Sequence, residues 1–132
     1  MANSHRQRQL RRPRSVGSRL YYVLDGRKIL RAGSLIKWAI AFEKQRWVAS
    51  TRVAGHRVST VFLGIDHNFS RIGPPILFET MVFAGAAMAD WSMRRYATYE
   101  EAEAGHRDMV AQVRAAVASV ARLSQPITAE CA

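Results

Sequence analysis

Cysteine is nearly missing from this sequence. Its one cysteine, Cys131, stands next to the last of 132 residues. That excludes a disulfide framework within the chain and any cysteine-based zinc centre. A reduced intracellular compartment is the setting this implies. Long apolar runs are missing too. No stretch of about 18 apolar residues occurs, so no membrane-spanning helix is predicted. The opening MANSHRQRQLRRPRSVGSRL is basic but has no apolar centre, so it does not read as a secretory signal.

Signature motifs are equally scarce. There is no Gly-x-Ser-x-Gly elbow, no phosphate-binding glycine loop and no HExxH spacing. No helix-turn-helix spacing is visible, and no internal repeat. No cofactor and no metal are predicted.

Acids are what the first half lacks. Residues 1–18 hold five arginines and no acid, and residues 19–57 hold nine basic and two acidic residues. Residues 58–132 hold six basic and eight acidic residues. The formal net charge of +10 therefore sits almost wholly in the N-terminal half. Arg6, Arg8, Arg11, Arg12 and Arg14 repel one another and have few apolar neighbours. An arm over residues 1–18, disordered when free, is the expectation. Its partner would be nucleic acid or an acidic protein surface, with arginines on phosphate oxygens. No aromatic residue interleaves these arginines, so the arm itself offers no stacking platform.

What remains suits one domain, residues 19–124, with a loose tail at 125–132. Hydrophobic residues make up 48%, an ordinary share. A chain of this size buries roughly two-thirds of its unfolded surface. LYYVLDGRKIL reads as a first hairpin turning at Asp25-Gly26, a favoured type I′ pair. Ser34 caps a helix whose apolar face is Leu35, Trp38, Ala39 and Phe42, widened by Ile36 and Ile40. So apolar a helix is expected in the core.

Three strands follow, at Arg46–Val53, Arg57–Ile65 and Ile76–Phe83. Ala54-Gly55 turns between the first two. The stretch AGAAMADWSM reads as a loop, with a short strand at Arg94–Ala97. Thr98 and Glu101 form a capping box. The last helix carries the stripe Ala102, His106, Met109, Val110, Val113, Val117 and Val120. The fold class is α+β: an antiparallel meander, a long C-terminal helix on one face, and a shorter helix near an edge.

Four segments, YYVLDG, VSTVFLGIDHNF, PPILFETMVF and RYATYEEAEAGHRDMV, resemble a family of small uncharacterised proteins encoded in phage and prophage genomes. The resemblance runs from about Tyr21 to Val113. It implies a phage or bacterial source and the cytoplasm of a bacterial host. It implies no catalytic residues. The arginine-rich arm lies outside it, and Lys37 and Lys44 stand where a more acidic surface is typical.

The chemistry-bearing candidates are His67, Glu79 and His106, with Asp66 beside the first. His67 ends a strand, Glu79 lies on the next, and His106 lies on the helix stripe. Convergence would make an acid–base or metal site. Separately, each has a plainer role. Asp66 and Asn68 favour turns. His106 bonds core neighbours through its ring nitrogens. Glu79, flanked by Leu77, Met81 and Phe83, requires a partner such as an arginine. The leading expectation is a non-enzymatic binding protein. The alternatives are a small enzyme built on those three residues, and a module self-associating through Trp38, Ile40 and Trp91.

Overall fold

The computed structural model describes residues 21–70, 72–84 and 87–126, with side chains given outside 87–92. The expected arm at 1–18 lies outside the described residues, as does most of the expected tail. The chain opens with a hairpin of β1 (Tyr22–Asp25) and β2 (Lys28–Arg31). Asp25 pairs with Lys28, so Gly26-Arg27 is the two-residue turn. Only Gly26 has positive φ, at 61°. The expected type I′ turn at Asp25-Gly26 is therefore shifted by one residue. Its pattern is that of type II′, which needs glycine at its first central position alone.

Helix α1 spans Leu35–Lys44 and starts at Ser34, whose side chain accepts from the Lys37 amide. No residue of α1 is buried, which corrects the expectation of a core helix. The helix packs on β1, between the hairpin and the corner of the meander, where Trp38 reaches Gly64. Trp38 and Phe42 supply the contact, and Leu35, Ile36 and Ile40 point outward.

The main sheet is an antiparallel meander in the order β3 (Trp47–Val53), β4 (His56–Phe62), β5 (Phe78–Ala84), β6 (Ala87–Tyr96). It has one strand more than its three-stranded expectation. Ala87–Met93 read as loop because alanine and glycine disfavour strands. Pairing with β5, through Phe83–Met88 and Ala84–Ala87, overrides that propensity. At the β3–β4 turn both Ala54 and Gly55 have positive φ, 45° and 81°. The type I′ pattern thus occurs here.

Helix α2 (Tyr99–Leu123) crosses all four strands. Its N-terminus is a complete capping box, with the Glu101 amide donating to the Thr98 hydroxyl and Glu101 accepting from the Thr98 amide. Ala102, Gly105, His106, Met109, Val110 and Val113 are its buried stripe. At about 1.5 Å per residue α2 is about 37 Å long, whereas seven-residue strands reach about 23 Å. The helix overruns the sheet, so Val117 is half-buried and Val120, expected in the stripe, is 63% exposed.

Pleating sends Val58, Thr60, Phe62, Phe78, Thr80 and Val82 towards α2, all buried. They form layers. Phe62 and Phe78 pack with Tyr22, Leu24, Leu77 and Ala102. Val58 and Val82 pack with Met109, Val110 and Val113. Thr60 and Thr80 lie between these two clusters.

Candidate functional site

His106 completes that middle layer. Its Nε2 lies 2.8 Å from Thr51 Oγ1 and its Nδ1 lies 2.8 Å from Thr60 Oγ1. Thr60 Oγ1 is in turn 2.6 Å from Thr80 Oγ1. Both ring nitrogens are satisfied by hydroxyls, the role expected of a core histidine. Burial lowers its pKa from the ordinary value, because no acid compensates a buried imidazolium. The ring lies between the two apolar clusters.

Glu79 faces the other way. It pairs with Val61 on β4 and Arg95 on β6, in the register opposite to Thr80. Its carboxylate accepts from Arg95 Nε at 2.9 Å. The partner demanded by a buried carboxylate is thus an arginine on the neighbouring strand. The sheet stands between Glu79 and His106.

His67 lies beyond the sheet's end. Its amide donates to Ile76 O, and its Nδ1 donates to Ile65 O at 2.8 Å. Asp66 Oδ1 accepts from the amides of Asn68 and Ile76. Asn68 Nδ2 donates to Ile72 O and Pro74 O. These bonds make Asp66–Asn68 the fastening of a turn. Ile76 is four residues from Thr80, about 13 Å along a strand. So the fold distributes His67, Glu79 and His106 over a loop, one sheet face and the core. Among the described residues no group of three histidines, cysteines or acids could hold a metal ion.

The feature that sequence reasoning missed is the sheet face turned away from α2. It carries Trp47 and Arg52 on β3, Arg57 and Val61 on β4, Met81 and Phe83 on β5, and Met93 and Arg95 on β6. Among the described elements α2 covers the opposite face and α1 packs on β1. Trp47 is 57% exposed and Met93 49%. The cations sit on rings. The Arg57 guanidinium is 4.6 Å from the Phe83 ring centre, and Arg46 lies 5.5 Å from Trp47 and 5.6 Å from Phe42. Glu79 is the one acid in β3, β4 and β5, and Arg95 neutralises it.

At one corner this face deepens into a cleft of about 280 Å³, lined by Phe42, Arg46, Trp47, Val61, Phe62 and Leu63. Helix α1 forms its outer wall. Trp38 Nε1 donates to Gly64 O at 3.1 Å and stacks on Phe42, with ring centres 5.3 Å apart. Gly64 has φ of 70°, and a Cβ there would lie 2.8 Å from Trp38 Nε1 and 2.9 Å from Phe42. Only glycine admits this approach. On β4 the signal for the face was present in period two, with Arg57 and Val61 alternating with Val58, Thr60 and Phe62, but on β3 a bulge between Trp47 and Ala49 breaks the period and brings Trp47 to the face of Arg52, five residues on.

No family model matches the chain, and neither a curated protein nor a solved structure matches it. Among the described residues no helix is long and apolar enough to cross a membrane.

Proposed function

We propose that this protein acts by binding, and that its basic N-terminal half contacts nucleic acid. The observation that carries this is the distribution of charge on the open sheet face. Arg46, Arg52 and Arg57 all come from the cationic half of the sequence, and this face collects them. Arg95 is cancelled by Glu79. Three arginines on one sheet face, in a chain whose residues 1–18 hold five more, are the electrostatic footprint of a polyanion partner.

A small accessory protein of phage type, working in a bacterial cytoplasm, is the setting we propose. The sequence resemblance alone supports that setting. The catalytic alternative needs His67, Glu79 and His106 in one place, and that convergence lacks support in the geometry.

The test is binding of labelled DNA and RNA across a salt series. Five phosphate contacts by the arm would give a slope of about −4 to −5 on duplex DNA. Removing residues 1–18 should weaken binding and flatten that slope. If the intact protein binds neither nucleic acid in a salt-sensitive way, the reading is wrong.

One observation favours a second reading, self-association. Leu35, Ile36 and Ile40 on α1 are 59%, 73% and 55% exposed. Trp38 is engaged with Gly64, and Trp91 lies outside the described side chains. Light scattering over a concentration series measures it directly.

A further inference from the structure

We propose that the open sheet face takes a single strand, with one unstacked base seated in the cleft between Phe42 and Trp47. This rests on the nucleic-acid reading above and narrows it.

Three observations carry it. First, the cations are interleaved with rings. Arg46 lies beside both Phe42 and Trp47, and Arg57 lies over Phe83. Rings stack on exposed base faces while cations follow the phosphates, which is how sequence-tolerant single-strand sites are built. A duplex hides its base faces, so these rings would have nothing to meet.

Second, the shape is wrong for a duplex. The major groove is read by an element inserted into it, a helix or a two-stranded ribbon. Here the basic surface is a pleated face bordered by α1. Bases splayed from a single strand lie flat on such a sheet.

Third, the cleft has room for a planar ring. Its volume of about 280 Å³ falls just below the roughly 300 Å³ at which pockets for drug-sized ligands begin. Its walls are aromatic and aliphatic, with Arg46 the one charged lining residue. The Arg46 guanidinium lies over both the Phe42 and the Trp47 ring, so a base enters by displacing it, and the displaced cation is then beside the base's own phosphate. From Trp47 the face continues diagonally to Phe83. The two are separated by two inter-strand spacings and four residues along β4, about 16 Å. A short run of extended nucleotides covers that distance. Glu79 would repel the strand midway, but Arg95 holds its carboxylate.

The experiment uses the full chain and labelled oligonucleotides of about twelve nucleotides: oligothymidylate, oligouridylate and a duplex of the same length. Anisotropy gives each affinity. The single strands should bind more tightly than the duplex. Trp47→Ala should weaken single-strand binding about tenfold or more, with duplex binding changed less than twofold. Trp47→Phe should restore most of the loss, because it returns a stacking ring. Arg46→Gln, on a half-exposed side chain, is an independent variant and should also weaken the single strand. Circular dichroism checks that each variant is folded.

If the duplex binds as tightly as the single strand, or if both variants leave single-strand affinity unchanged, the cleft proposal is overturned while the basic-surface reading stands. If no nucleic acid binds at all, both fall. A preference between oligothymidylate and oligouridylate would tell DNA from RNA as the strand held, and either preference supports the cleft.

Discussion

Gly105 lies directly over the ring of Tyr96. A Cβ at position 105 would fall on the Tyr96 hydroxyl. That hydroxyl is buried and, among the described residues, has no hydrogen-bond partner. The close approach of α2 to β6 is therefore made by leaving out a side chain.

Gly105→Ala should be destabilising, against its helix propensity. Alanine gains about 1 kcal/mol in a helix interior, but overpacking costs about 1–3 kcal/mol, and a Cβ at 105 overlaps the Tyr96 ring as well as its hydroxyl, so ring or helix must shift. Urea unfolding measures the difference. Tyr96→Phe removes an unsatisfied polar atom and should be neutral or slightly stabilising. Combined with Gly105→Ala it should recover part of the loss.

Ala54 is the one described non-glycine residue with positive φ. An L-residue there is strained by about 1 kcal/mol. Ala54→Asn makes an Asn-Gly type I′ turn with Gly55 and should raise stability by up to about 1 kcal/mol. A rise in the thermal midpoint of a few degrees would show it.

His106 makes stability depend on pH with a defined sign. Its folded pKa lies below the ordinary 6.5 because of burial. The unfolded chain therefore binds a proton more readily once pH falls through that value. The contribution is complete above about pH 6.5 and declines below it. Denaturant midpoints measured from pH 8 to pH 5 should fall at the acid end. His106→Leu should flatten that part of the profile. It should also cost about 1–3 kcal/mol at neutral pH, since Thr51 loses its partner and Thr60 keeps only Thr80.

Glu79→Gln should strengthen binding to nucleic acid. It frees Arg95 from its carboxylate on the open face. One further phosphate contact steepens the salt slope by roughly 0.7 to 0.9. An unchanged slope would mean that Arg95 does not meet the strand.

Much of the fold was legible because it rests on local signals. Thr98 and Glu101 announce the start of α2, and Ser34 that of α1. Period two through Val58, Thr60 and Phe62 reveals the core face of β4. The roles of Glu79 and His106 were also legible, since a buried carboxylate and a core histidine demand polar partners. What was not legible depends on distant pairing. β6 is a strand because β5 offers it an edge, and Ala87–Met93 carry no propensity that says so. Helix α1 has the pattern of a core helix, yet its placement is set by one indole reaching Gly64. The open face is not legible strand by strand, because a bulge breaks the period of β3 and β4 is apolar on both faces. The meeting of its residues on one surface requires the register.

The Trp38–Gly64 contact has a dynamic consequence. Helix α1 buries no residue and is fastened through two side chains, Trp38 on Tyr21 and Gly64 and Phe42 on the cluster around Phe62. Such an element opens on its own at a fraction of the free energy that unfolds the domain. Its amides should exchange with solvent deuterium well before those of α2 or β4. Since Phe42 is a wall of the cleft, the cleft exists only while α1 is closed. Its affinity for any occupant then carries that closing equilibrium as a factor, and an occupant in turn should slow exchange along the whole of Leu35–Lys44.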